Sequence, residues 1–321
     1  MDKKGKQKSV MGRPTLWLVL AVLIVGIIAC GAKTEEDSAT ATGENAGSTQ
    51  SSTAADDKTI ENGQKNEEVE IAFEELTVID NAECVIKITG INPENIWGYS
   101  LDVYLENKSA EKTYMYSIRG ASVNGVESDP LFASEVASGK KANETISFSD
   151  SELRENGIDK FTDIELFFYV YDSNDWGAEP VAEESVHVYP YGEDKAETFI
   201  REVQSTDNVI IDNDNVRVIV TGYEEDDIWG YTVNLFLENK TDKEVMFSVD
   251  EVAVNGYMAD PFFASTVLPG KCKFTSMSWS DTSFEENNIT EVEEIEMVFR
   301  AYNSEEFMAD DYARETIVLN P

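Results

Sequence analysis

The stretch IWGYSLDVYLENK (Ile96–Lys108) recurs almost unchanged as IWGYTVNLFLENK (Ile228–Lys240). From each tryptophan onward, apolar residues alternate with mostly polar ones, and this period of two predicts a half-buried antiparallel strand. Trp97 and Trp229 share the face of the core leucines, so the motif is predicted to open a central strand with its large rings inward. A bulge at Gly98 would instead turn the ring outward and make the motif a ligand site.

The recurrence extends well beyond this strand. Val123–Gly125 ("VNG") matches Val254–Gly256, "DPLFAS" matches "DPFFAS", and "SFSDSELRENGI" matches "SWSDTSFEENNI". Self-similarity over this length indicates two copies of one domain. We predict repeat 1 at residues 69–192 and repeat 2 at residues 197–321, with a joint near Pro190–Thr198 where limited proteolysis would separate them.

Other short segments alternate in the same way and are divided by turn-forming sequences such as "ENKSAEK". One patch in each copy is helical, and Gly157, matched by Asn288, stands where a left-handed residue would end that helix. Short strands at this spacing predict an all-β fold of two tandem antiparallel Ig-like β-sandwich domains. This pair follows a signal or lipid anchor and a disordered linker.

Comparing the copies separates inward from outward positions, because Lys87 is matched by Ile219 and Tyr169 by Arg300 on the face assigned as outward. By the same pattern Cys84 is predicted to be buried and Cys272 to lie on or near the surface, with no disulfide between them. Exposed aromatic rings can anchor a partner, although cross-strand packing is the alternative. The candidate ligand-binding aromatic residues are Tyr104, Phe236, Tyr169 and Tyr171.

The first residues resemble a bacterial lipoprotein signal. Basic residues precede the uninterrupted apolar run Leu16–Ile28, and Ala29 and Cys30 follow it. The resemblance implies a signal peptide at residues 1–29 and a diacylglyceryl group on Cys30. The alternative is an uncleaved transmembrane anchor, since residues 15–32 are just long enough to span. Both place the rest of the chain on the extracytoplasmic face of the cell membrane.

Residues 30–68 are rich in Ser, Thr, Ala, Gly and acids and show no apolar period, so they predict a flexible linker. The formal net charge of −38 argues against nucleic-acid binding, which needs basic patches. The predicted partners are therefore the membrane, through the N-terminal lipid, and an unknown envelope or extracellular molecule.

The motifs "WGY", "LENK", "VNG", "DPFFAS" and "PGK" resemble those of Ig-like modules of unknown function in surface lipoproteins of Firmicutes. The resemblance covers both repeats and the signal. It implies an Ig-like fold and a surface location, without implying an activity. The paired cysteines of antibody domains are missing.

Residues that could carry chemistry are sparse. His187 is the single histidine and has no counterpart in repeat 2, which argues against a Ser-His-Asp or Cys-His site. The three cysteines lack metal-ligand spacing. Acidic runs at 172–175, 212–215 and 224–227 could offer oxygen ligands, but none matches the EF-hand loop. We therefore predict no catalytic residues, no metal and no cofactor.

Together these features predict a lipid-anchored, extracytoplasmic, non-catalytic protein that displays two Ig-like modules for binding or envelope association. The alternative is a purely structural surface spacer. A calcium-dependent binding module and an enzyme rank below both.

Overall fold

The computed structural model describes residues 71–175, 177–226, 230–306 and 308–321. The predicted signal peptide, Cys30, the linker and Trp229 lie outside the described residues. Among the residues that are described, no helix is long and apolar enough to cross a bilayer.

Repeat 1 is a sandwich of two antiparallel sheets. Its elements are β1 (Leu76–Asp80), β2 (Cys84–Asn92), β3 (Ser100–Asn107), β4 (Tyr114–Val123), β5 (Val126–Ser128), β6 (Ala133–Val136), β7 (Lys141–Ser147), α1 (Asp150–Glu155), β8 (Ile164–Asp172) and β9 (Ala182–Val188). One sheet has the order β1-β2-β3-β7. The other runs β5-β4-β8-β9, with β6 also paired to β4.

Repeat 2 has the same architecture. After a short 3₁₀ turn come β10 (Asn208–Asp212), β11 (Val216–Asp226), β12 (Gly230–Asn239), β13 (Val245–Val254), β14 (Tyr257–Met258), β15 (Ala264–Val267), β16 (Cys272–Trp279), α2 (Asp281–Asn287), β17 (Ile295–Asn303) and β18 (Ala313–Leu319). One of its sheets runs β14-β13-β17-β18, with β15 paired to β13. The other runs β10-β11-β12-β16 and continues through a parallel pairing of β16 with β5 into the second sheet of repeat 1, which makes one nine-stranded sheet. The predicted all-β sandwich fold is confirmed.

Each sandwich encloses its own core of inward side chains. In repeat 1 the Tyr99 ring lies 4.5 Å, centroid to centroid, from that of Phe161, and Phe148 packs edge-on to the same ring. In repeat 2 the largest fully buried side chain is Trp279, whose Nε1 donates to the carbonyl of Ala259 at 2.8 Å. Burial of Cys84 in the first core confirms its predicted position.

Polar turn residues behave as the repeat comparison indicated. The amide of Asn107 is almost fully buried and donates to the carbonyls of Lys112 and Val136 at 2.9 and 2.8 Å. Asn239 makes the matching bonds in repeat 2. A buried amide with its partners in place pins the turn after the strand to the neighbouring sheet.

The helix ends are also as predicted. Gly157 has a φ of 85° and Asn288 has a φ of 56°, both left-handed. Glycine takes this conformation without a Cβ clash, and asparagine is the next most tolerant residue. The repeat therefore preserves the backbone conformation while changing the side chain.

The prediction that Trp97 lies in the core is wrong. Strand β3 begins only at Ser100, and the Trp97 side chain is 74% exposed. Gly98 takes a φ of 96°, and its N–H donates to the carbonyl of Asn95, closing a turn before the strand starts. The period of two holds from Tyr99 onward, and the turn at Gly98 removes Trp97 from it.

The outward assignment of one face of repeat 2 is also wrong. Ile219, Phe236 and Cys272 are 1%, 3% and 7% exposed. They belong to the apolar cluster of repeat 1, because repeat 1 packs against this sheet face. The described residues from 71 to 321 belong to one compact unit. Repeat 1 and the segment before β10, whose Arg201 guanidinium lies 5.6 Å from the Phe236 ring centroid, together bury these positions.

Candidate functional site

Repeat 1 displays three large apolar side chains at one end. Ile96, Trp97 and Leu131 are 88%, 74% and 80% exposed. We call these three residues the apolar end of repeat 1. Contiguous exposed apolar patches mark interaction surfaces, whereas apolar side chains scattered singly do not.

The backbone beneath the apolar end is ordered by strand pairing. Asn92 of β2 pairs with Ser100 of β3, Ser100 pairs with Ser147 of β7, and Leu131 forms a bridge to Ser147. This row places Leu131 two strand spacings, about 10 Å, from the residue at which β3 begins. The loop that carries Ile96 and Trp97 joins the end of β2 to the start of β3, so all three side chains project from one end of the sandwich.

Asparagine side chains shape that loop. The Oδ1 of Asn92 accepts from the N–H of Glu94 at 3.1 Å, and the Oδ1 of Asn95 accepts from the N–H of Trp97 at 3.0 Å. Such side-chain turns hold a short loop without strand pairing. Directly after it, Tyr99 is buried against Phe161, which anchors the loop to the core.

The same end recurs in part in repeat 2. Phe262 stands at the position of Leu131, is 73% exposed, and donates its N–H to the carbonyl of Ser278 at 2.7 Å. The match of Ile96 and Trp97 lies outside the described residues. An exposed apolar residue after an Asp-Pro pair is thus present in both repeats.

Tyr104, a candidate from the sequence, lies on the outer face of β3 and is half-buried. Its hydroxyl donates to a carboxylate oxygen of Glu106 at 2.7 Å, and the Lys141 ammonium sits 5.7 Å from its ring centroid. With Lys87 and Asn143 it lines a shallow depression of about 520 Å³. The Tyr104 ring is held by neighbours on its own sheet, so its contacts are those expected for cross-strand packing rather than for a partner site.

Tyr169 and Tyr171 project from β8 in the opposite sheet, so the structure does not bring them together with Tyr104. Both are half-buried, with ring centroids 5.4 Å apart, and the Arg119 guanidinium lies 5.0 Å from the Tyr169 ring. Phe236, the fourth candidate, is buried between the repeats. Cys30 lies outside the described residues.

The histidine and the two described cysteines are paired or buried rather than free to react. His187 on the edge strand β9 places Nδ1 2.7 Å from a carboxylate oxygen of Asp163. Burial raises the pKa of the Cys84 thiol to about 11 and that of Cys272 to about 12. Both thiols therefore stay protonated near neutral pH, where a thiolate is the reactive form. Among the described residues, no group of three or more His, Cys, Asp and Glu could hold a metal ion.

Sequence reasoning missed Ile96 and Leu131 as site residues and Trp279 as the buried tryptophan. The available signal was the loop context, because Leu131 and Phe262 both follow an Asp-Pro pair that interrupts any strand. An apolar residue kept in such a loop in both copies has no strand face on which to be buried.

No family model and no curated protein matches this chain. Among solved structures, the chain is similar to the YadV chaperone, with 12% identity, 74% of this chain and 100% of that chain covered, and a TM-score of 0.24. It is also similar to red sea bream transglutaminase (9% identity, 75% and 31% covered, TM-score 0.20). A third similar structure is the Amycolatopsis orientalis exo-chitosanase CsxA, with 11% identity, 72% of this chain and 26% of that chain covered, and a TM-score of 0.21.

Proposed function

We propose that this chain is a non-catalytic binding protein, held at the outer face of the cell membrane by a lipid on Cys30. Its repeat 1 presents the apolar end to a partner protein of the envelope. The observation that carries the proposal is the exposure of Ile96, Trp97 and Leu131 on an ordered backbone. Exposed apolar area costs about 25 cal/mol per Å² relative to burial, which a partner would recover.

The side-chain chemistry favours a protein partner. Tryptophan is among the residues that dominate binding energy at protein interfaces, and isoleucine and leucine extend the apolar contact around it. The formal net charge of −38 disfavours docking of the folded part on an anionic lipid surface.

A binding comparison tests the proposal. Full-length protein is immobilised and titrated with solubilised envelope proteins, using wild type, Trp97→Ser and Leu131→Ser. Loss of an interface anchor is expected to weaken binding by about tenfold or more. Met308→Ser is the matched control, because Met308 is 86% exposed but lies in repeat 2. Saturable binding that is equal in all four proteins would contradict the proposed site.

The anchor has a separate test. Cys30→Ser is expected to abolish acyl labelling and to leave residues 1–29 attached, because the thiol is the acceptor of the lipid. Two acyl chains hold a protein stably, as each buried CH₂ contributes about 0.8 kcal/mol. Wild-type protein that carries no acyl mass and keeps its first 29 residues would show the transmembrane alternative.

The spacer alternative is favoured by one observation, the packing of the two repeats against each other. β5 of repeat 1 pairs with β16 of repeat 2, which joins sheets of the two repeats. A rigid pair reaches farther from the membrane than two freely hinged domains. Absence of any saturable envelope partner for wild type would favour this function.

A further inference from the structure

The two repeats meet through different surfaces, so their contact is heterologous. The turn between β4 and β5 of repeat 1 lies against the first residue of β16 in repeat 2. Val126 and Cys272 are parallel partners, and the Cys272 N–H donates to the carbonyl of Gly125 at 3.1 Å. A hairpin of one repeat therefore docks on a sheet edge of the other.

Charged side chains flank this contact. The Lys271 ammonium lies 2.5 Å from a carboxylate oxygen of Glu165. The Glu127 carboxylate accepts from the N–H of Leu268 and lies 3.5 Å from the Lys273 ammonium. The Glu127 side chain is only 9% exposed, so the interface is built around paired rather than free charges.

Both surfaces recur at the other ends of the molecule, where no other described strand covers them. In repeat 2 the equivalent hairpin carries Tyr257 and Met258, which are 53% and 66% exposed. In repeat 1 the equivalent edge is β7, which begins at Lys141, the counterpart of Cys272. Among the described residues β7 pairs with β3 alone, apart from the bridge at its far end to Leu131, and β14 pairs with β13 alone.

The flanking residues are matched in compatible pairs. Lys140 and Glu296 stand where Lys271 and Glu165 form their ion pair, and both are exposed. Glu127 is replaced by Met258, and its partner Lys273 is replaced by Ala142, so a charge pair becomes an apolar pair. At these positions the hairpin of repeat 2 and the β7 edge of repeat 1 therefore carry complementary side chains.

The apolar contact of Leu268 with Gly120 is not kept, because their counterparts are Ala137 and Glu251. Other differences follow the connecting segment between β9 and β10 (residues 189–207), whose Phe199 packs on Phe274, which lies beside Phe236. The connecting segment belongs to one chain and would not lie across a contact between two chains. On the uncovered face of repeat 1, Asn143 and Tyr104 replace Phe274 and Phe236, so no apolar patch is left needing that cover.

We propose that copies of this chain associate head to tail, the β13–β14 hairpin of one copy docking on the β7 edge of repeat 1 in the next. The carbonyl of Gly256 would accept from the N–H of Lys141, and Lys140 would pair with Glu296. A heterologous contact leaves a free surface at each end and so extends into an open chain. Without the connecting segment each contact is weak, and tethering at a membrane raises the effective concentration.

Site-directed cross-linking tests this geometry. Tyr257→Cys and Lys141→Cys are made separately in the full-length chain with Cys30→Ser, and are mixed under mild oxidation. We expect a disulfide-linked dimer in the mixture and little in either protein alone. Tyr257→Cys mixed with Asp242→Cys, an exposed position, is the control. Equal cross-linking in the control, dimers of one variant alone, or no dimer in the mixture would overturn the proposal.

A charge swap tests the contact through the dissociation constant of self-association. Sedimentation of wild type is expected to show mass that rises with concentration. Lys140→Glu should raise the dissociation constant about threefold or more, and adding Glu296→Lys should restore it, as expected for an exposed pair. A mass independent of concentration, or a double variant no better than the single one, would refute the pairing. Neither result depends on the envelope partner proposed above.

Discussion

Trp97 and Trp279 have opposite environments within closely matched folds. Trp97 stands in a loop and is 74% exposed, whereas Trp279 is fully buried with its indole N–H bonded to Ala259. Trp279→Ala is expected to lower the free energy of unfolding by about 3–5 kcal/mol. Trp97→Ala is expected to change it by no more than about 0.5 kcal/mol. Urea unfolding followed by circular dichroism measures both, and similar losses in the two variants would contradict the burial assignment.

At the scale of the element, the start of β12 requires a glycine, a residue without a Cβ. Gly230 has a φ of 71°, and a Cβ there would lie 2.2 Å from the carbonyl oxygen of Trp279. Gly230→Ala is therefore expected to lower the free energy of unfolding by about 2 kcal/mol or more. The backbone would have to move to relieve both the positive φ and the clash with the Trp279 carbonyl. Gly222→Ala in β11 is the control, because a Cβ there meets nothing within 4 Å. Equal thermal melting shifts in the two variants would count against the close approach.

The segment before β10 is held by an ion pair. The two terminal guanidinium nitrogens of Arg201, Nη1 and Nη2, donate to Asp207, whose side chain is 1% exposed, and the Gln204 N–H donates to the same carboxylate. The hydrogen bonds from Arg201 are the main cause that lowers the Asp207 pKa in the folded protein. Because the pKa is lower in the folded state, the charged Asp207 stabilises the fold at pH values above the ordinary aspartate pKa of about 3.9. This stabilisation is lost as the pH falls through the folded-state pKa.

Asp207→Asn isolates this contribution. The urea midpoint of wild type is expected to exceed that of the variant at pH 5, and the difference should shrink as the pH is lowered below about 3.9, toward the folded-state pKa. The variant serves as the reference for all other carboxylates, which titrate in both proteins. A difference that stays constant over this range would show that the Asp207 charge does not stabilise the fold.

At the scale of the whole molecule, equivalent residues of the two repeats have different roles. Phe236 is buried between the repeats, whereas its match Tyr104 is half-buried on an uncovered face. Phe236→Ala is expected to cost about 3–5 kcal/mol and to loosen the contact between repeats. Tyr104→Ala should cost about 1 kcal/mol or less. Small-angle scattering should show a larger radius of gyration for Phe236→Ala alone, and an unchanged radius would contradict the interface.

The sequence by itself determined the repeat, the all-β class, the inward set from Tyr99 to Leu105 and the left-handed residues at the helix ends. These features depend on local spacing and backbone conformation, which two copies of one domain display twice. The joint near Pro190–Thr198 remains a prediction as a site of cleavage. The lipid on Cys30 remains a prediction as well.

Tertiary structure alone decided which faces are covered. The alternation in β12 assigns Phe236 to the outside of its own sandwich, and that position becomes interior only because repeat 1 and Arg201 pack over it. Similarly, Trp97 fits the alternation of β3 by spacing, but Gly98 turns the chain before the strand begins. Periodicity reports the two sides of a strand, whereas burial depends on what packs against each side and where pairing starts.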